Sequence, residues 1–111
     1  MTKKSEKVLA LTMKERVILP GILPGQGDKL TQIVVRSLIE KSEFTQAEIK
    51  KFEMTATGES VTWNKSASSA KFDIPITDAE AQVLKDTVKQ LDKDKKVTQH
   101  NLSLIEKIEA L

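Results

Sequence analysis

A short pattern recurs along this chain and limits how the chain can be partitioned: an apolar residue, then threonine, then glutamate three positions after the threonine. It stands at Leu11-Thr-Met-Lys-Glu15, at Phe44-Thr-Gln-Ala-Glu48 and at Ile76-Thr-Asp-Ala-Glu80, with a weaker form at Val97-Thr-Gln-His-Asn101. The pattern is that of a capping box. The threonine hydroxyl accepts from the amide of the third helical residue, and the glutamate carboxylate reaches back to the threonine amide. Four helix starts are therefore predicted, at 13, 46, 78 and 99. The residue before the cap can also meet the fourth helical residue, as Phe44 would meet Ile49 and Val97 would meet Leu102. The spacings between copies are unequal and nothing else matches, so the recurrence is not an internal repeat.

A fifth helix, without this pattern, carries the densest apolar segment. In Leu30-Thr-Gln-Ile-Val-Val-Arg-Ser-Leu-Ile39 the residues Leu30, Ile33, Val34, Leu38 and Ile39 recur at helical spacing, with Val35 widening the stripe. A central helix over about 28–42, capped by Asp28, is predicted to carry the rest of the fold. The first helix meets Pro20 within two turns, so it either stops near Leu19 or kinks and runs on to about Leu23. Leu19-Pro-Gly-Ile-Leu-Pro-Gly25 holds two Leu-Pro-Gly units suited to turns.

The remaining segments alternate or are polar. Val8–Leu11 is either an edge strand or the lead-in to the first helix. Phe52, Met54 and Ala56, then Val61 and Trp63 beyond Thr57-Gly-Glu-Ser60, alternate as a β-hairpin. Residues 64–70 are small and polar and read as a mobile linker. Phe72, Ile74 and Ile76 form a third alternating strand that Pro75 confines to an edge or an end. In 78–91 the buried stripe is Ala81, Leu84, Val88 and Leu91, flanked by Val83, and in 99–111 it is Leu102, Ile105 and Ile108. The expected fold class is α+β: helices, then a three-stranded antiparallel β-meander, then a C-terminal helical hairpin. Residues 1–6 are expected to be a flexible tail and 7–111 a single globular domain, since 111 residues can bury one core without staples.

Composition excludes some chemistry. With no cysteine, disulfides and thiolate metal sites are ruled out, and no apolar run approaches the roughly 18 residues of a membrane span. Val8–Leu11 is too short for the apolar part of a signal peptide, so a cytoplasmic location is expected. Net charge is +2, gathered in residues 1–7 (three lysines against one acid) and 85–96 (five lysines against three aspartates), a weak footprint for nucleic acid.

Candidate sites are few. His100 is the only histidine and has neither the base nor the convergent ligands that a triad or metal centre needs. Gly25-Gln-Gly27 lacks the strand before it and the Gly-Lys-Ser/Thr of a phosphate loop, and Asp92 with Asp94 lacks the glycine and distal glutamate of a calcium loop. Glu48, Asp78 and Glu80 lie in first turns of helices, where the dipole accounts for them. No catalytic, cofactor-binding or metal-binding residues are assigned, and no enzyme is expected. Trp63, the only tryptophan, is core by its phase with Val61 or else a partner-contact anchor.

The order helix, helix, turn, helix, hairpin also suits a winged helix-turn-helix DNA binder, in which Lys50 and Lys51 would face nucleic acid. Against that, Glu48 and Glu53 offset the two lysines, no arginine or asparagine projects for base reading, and the would-be wing is acidic.

Over most of its length the chain resembles a loose group of short uncharacterised proteins of bacteriophages and prophages. The matching features are Leu11-Thr12…Glu15-Arg16 leading to Ile22-Leu23-Pro24, the Trp63-Asn64 hairpin end, and the Leu91-Asp92…Val97-Thr98 link. Pro20-Gly21 departs from the group, whose first helix would continue there. The resemblance implies a phage setting and no catalytic residues. The expectation is a small non-enzymatic interaction or structural module with a protein partner. A weak DNA-binding regulator is the alternative.

Overall fold

The computed structural model describes residues 7–58 and 60–111; the tail expected over 1–6 lies outside the described residues. The first described element is a strand, β1 (Lys7–Thr12), which leads directly into helix α1 (Met13–Ile22). Helices α2 (Lys29–Ser42) and α3 (Gln46–Lys51) follow, then a small hairpin of β2 (Thr55–Thr57) and β3 (Ser60–Thr62). A single-turn helix α4 (Lys65–Ser68) precedes β4 (Lys71–Ile76), and the chain ends with α5 (Asp78–Lys93) and α6 (Leu102–Glu109). The α+β class holds, but the three-stranded meander does not form. β4 leaves the hairpin and pairs antiparallel with β1, opposing Leu9 to Ile74 and Leu11 to Phe72, while β2 and β3 pair only with each other.

Burial explains that choice of partner. Alternation puts Leu9, Leu11, Ile74 and Ile76 on one face of the β1–β4 pair, and all four are buried. Pairing those two strands completes an apolar wall, against which Leu19 of α1, Val35 and Leu38 of α2, and the buried stripes of α5 and α6 close one continuous core. The β2–β3 residues Thr55, Ala56, Thr57, Ser60 and Thr62 are exposed and Val61 is half-buried, so the hairpin has little apolar surface with which to recruit a third strand. A smaller cluster of Met13, Phe52 and Ala67, with Trp63, Phe44 and Phe72 against it, lies under the base of the hairpin.

Three of the predicted helix starts fall where the Thr-x-x-Glu pattern puts them. Thr12, Thr45 and Thr77 each make the full capping box. The fourth start is displaced. Thr98 and Asn101 do exchange reciprocal hydrogen bonds, at 2.8 and 3.2 Å, but these close a turn and α6 begins only at Leu102. Asparagine is shorter than glutamate, and the pair here shapes the approach to the helix rather than its first turn. The buried face of α6 shifts accordingly to Leu104, Ile105 and Ile108, leaving Leu102 half-buried. The α5 stripe holds, with Ala81, Leu84 and Val88 buried and Leu91 half-buried.

Of the two courses open to α1 at Pro20 the helix takes the one that continues, and two other local expectations are corrected. Helix α1 runs through Pro20 to Ile22, because the cap at its start and the fully buried Leu19 hold the helix against the loss of one backbone donor. The polar stretch after Trp63 is ordered as α4, whose cap Asn64 accepts from the Ala67 amide at 3.1 Å while Ala67 is fully buried. Phe52 belongs to the end of α3 rather than to a strand.

The largest correction concerns α2. Its buried residues are Val35, Leu38 and Ser42, while Leu30 is 72% exposed and Ile33 42% exposed. Apolar residues lie on more than one side of this helix, and tertiary packing takes the side that α1 and α5 can cover.

Helices α3 and α5 both end with a non-glycine residue in the left-handed region, Glu53 at φ 51° and Lys95 at φ 59°. Around Lys95 the Lys96 amide donates to Leu91 O at 2.8 Å and the Lys95 amide to Asp92 O at 3.1 Å, the double bond of a Schellman ending. A side chain in this conformation costs roughly 1–2 kcal/mol, which glycine avoids. Lys95→Gly is therefore expected to stabilise the fold by about 0.5–1 kcal/mol, read as a higher urea midpoint. A lower midpoint would show that Lys95 makes contacts worth more than its backbone strain.

Candidate functional site

Among the described residues the buried charged groups are Glu15, Glu80 and Arg16, and every capping-box carboxylate is met by a cation. Each glutamate that closes a helix start also holds a basic residue from another element. Glu15, at the start of α1, accepts from Lys107 of α6 at 2.6 Å. Glu80, at the start of α5, accepts from Lys41 of α2 at 2.6 Å and from the Ser37 hydroxyl. Glu48, at the start of α3, is gripped by both terminal nitrogens of Arg16 from α1, at 2.9 and 3.1 Å. The two lysines also cap backbone carbonyls of the sheet: Lys107 donates to Ala10 O of β1 at 2.9 Å and Lys41 to Pro75 O of β4 at 2.8 Å.

Arg16 is the most enclosed of the cations, with a side chain only 8% exposed. Its Nε donates to Ser42 O at 3.1 Å and its Nη2 to Glu43 O at 2.6 Å, so it clamps the turn between α2 and α3. The guanidinium lies 3.9 Å from the ring centre of Phe44 and 4.7 Å from that of Phe72. A planar fork can serve two carbonyls, a carboxylate and two aromatic faces at once, which an ammonium cannot do.

This arrangement depresses all three carboxyl pKa values below the ordinary glutamate value of 4.5. At Glu15 and Glu80 burial is the largest influence and pushes upward, but the lysine and serine hydrogen bonds, the capped amide and the lysine charge together outweigh it. At Glu48 the Arg16 hydrogen bonds dominate and lower it directly. Each of these carboxylates already accepts at least two hydrogen bonds. Their chemistry is that of charged struts.

The residues singled out from the sequence do not converge. Trp63 is half-buried and packs against the Met13–Phe52–Ala67 cluster. Lys50 and Lys51 are exposed in the last turn of α3, with the Lys51 ammonium 5.4 Å from the Phe52 ring centre. His100 is exposed in the turn before α6. Among the described residues no group of three or more metal-ligating side chains comes together, and no helix is long and apolar enough to cross a membrane.

Two surface features were missed by sequence reasoning. An open groove of about 370 Å³ runs between the end of α1, the start of α2 and one side of α5, lined mainly by Ile22, Pro24, Thr31, Val83, Thr87 and Leu91. Beside Thr31 in sequence, Leu30 projects into solvent, with Ile33 one turn further on. The signal for Leu30 was present but misread, because an apolar residue at helical spacing does not say which side the core will take. No family model, curated protein or solved structure matches this chain.

Because the unfolded chain binds protons more readily than these three sites, stability rises with pH across their titration. It is full above the ordinary glutamate value of 4.5 and is lost as pH falls through the depressed folded values. Urea titrations across an acidic pH series are expected to show this loss. Glu80→Gln should be less stable at neutral pH by about 1–3 kcal/mol, since it weakens the bonds to Lys41 and Thr77, and should show a shallower acid loss. Equal acid slopes in the two proteins would mean that Glu80 has no part in it.

Proposed function

We propose that this chain is a small non-enzymatic interaction module, phage-encoded and acting in a bacterial cytoplasm. The observation that carries this reading is the outer face of α2. A leucine 72% exposed and an isoleucine 42% exposed sit one turn apart on the helix that anchors the core. Neither contributes to the core cluster, so their apolar surface is available to a partner. The internal carboxylates and cations support the same reading, since each is engaged in holding one element to another.

A photoreactive residue placed at position 30 in the full chain tests this in cells. Discrete adducts are expected from position 30 and none from a control at the exposed Gln82. Equal yields at both positions would remove the support for a specific surface on α2.

The second reading, a winged-helix DNA binder, is favoured by one observation: an exposed hairpin follows α3, which carries Lys50 and Lys51 at its exposed end. The pairing of β1 with β4 rather than with the hairpin weighs against it. Under the leading reading, duplex DNA at physiological salt is bound no more tightly than the non-specific range, roughly 10⁻⁴ M. Micromolar affinity with a steep salt slope, lost in Lys50→Glu with Lys51→Glu, would reverse the ranking.

A further inference from the structure

The outer face of α2 carries an ordered set of charges as well as exposed apolar residues. Lys29, Ile33, Arg36 and Glu40 fall four, three and four residues apart, which sets them in one row along the helix. All four are exposed. Among the described residues none of the three charged ones takes part in an ion pair. The row also runs against the helix dipole. Lys29 is the first helical residue, where the helix end is positive, and Glu40 lies in the last turn, where it is negative. Inside one molecule this placement is slightly unfavourable.

The row is symmetric about its midpoint and opposite in charge at its ends. A second α2 laid antiparallel along it sets Lys29 against Glu40 at both ends, and the two isoleucines against the aliphatic stems of the two arginines in the middle. The helices of a single pair supply complementary charge and apolar contact from the same four positions, which is the condition for a two-fold, self-complementary interface. We propose that this chain self-associates as a two-fold dimer through the outer face of α2, packed antiparallel against α2 of a second copy. The proposal rests on the reading of the chain as an interaction module and names the occupant of that surface.

A contact limited to two helices about 21 Å long falls short of the roughly 1,600 Å² of a standard interface. The dimer is accordingly weak and responds to concentration. Leu30, on the flank of the row, extends the apolar contact beyond the two isoleucines.

Sedimentation equilibrium of the full chain over about 5–500 μM, a range that brackets weak association, tests this. The weight-average mass is expected to climb from 12.4 kDa toward twice that value. Ile33→Asp should hold the protein at the monomer mass without changing its melting temperature, because the residue lies outside the core. Lys29→Glu and Glu40→Lys should each weaken association about fivefold to tenfold, as two surface ion pairs per dimer become repulsive.

Both single changes agree better with the helix dipole, so melting should stay level or rise while association falls. The combined Lys29→Glu, Glu40→Lys variant should regain the original association, since the pairs re-form with reversed polarity. A monomer at every concentration, or a combined variant no better than the single ones, overturns the dimer. In either case a crosslinked adduct from position 30 whose mass is not twice the monomer's would leave the module reading standing with a different partner.

Discussion

The fold depends on the double use of three glutamates. A capping carboxylate normally serves one amide at the start of its own helix. Here Glu15, Glu48 and Glu80 do that and also receive Lys107, Arg16 and Lys41 from other helices. The side chains of Glu15 and Glu80 are only 5% exposed, so an unpaired charge at either position would be severely penalised. The pairing satisfies that charge and in the same contact fixes where α1, α3 and α5 begin relative to α6, α1 and α2. No buried side-chain nitrogen or oxygen among the described residues is left without a partner.

The lysines extend this logic to the sheet. A two-stranded sheet has two open edges, each a row of unpaired backbone groups. Lys107 covers a carbonyl on β1 and Lys41 covers one on β4, and each is aimed by the carboxylate it also binds. Arg16 does the equivalent for the turn between α2 and α3, where the carbonyls of Ser42 and Glu43 would otherwise need water. A small sheet and several short helices are thereby tied together around a core that is mostly leucine, isoleucine and valine.

The buried carboxylates of Glu15 and Glu80 are both engaged in ion pairs between helices. The outer residues of α2 and the β2–β3 hairpin lie outside the core, whereas the groove beside α2 is walled in part by Ile22, Val83 and Leu91, which pack against the core. Helix α2 is placed at the centre by its inner side, and its outer side keeps apolar and charged residues that contribute nothing to that placement. One helix is thereby divided between a core-facing side and an exposed side.

What the sequence determined by itself was local. The helix starts at 13, 46 and 78 were legible because a threonine and a glutamate three residues apart complete a hydrogen-bonded unit without help from the rest of the chain. The buried stripe of α5 was legible because its outward residues beyond Ala79 are polar. Lys50, Lys51, Trp63 and His100 drew attention as residue types, but the structure gives them no common site. Only tertiary structure decided the partner of β4, the side of α2 that faces the core, and the cations that the glutamates receive. Those contacts join residues 32, 39 and 92 positions apart. A bond across such a distance depends on where the whole core places two elements, and no spacing within either segment encodes it.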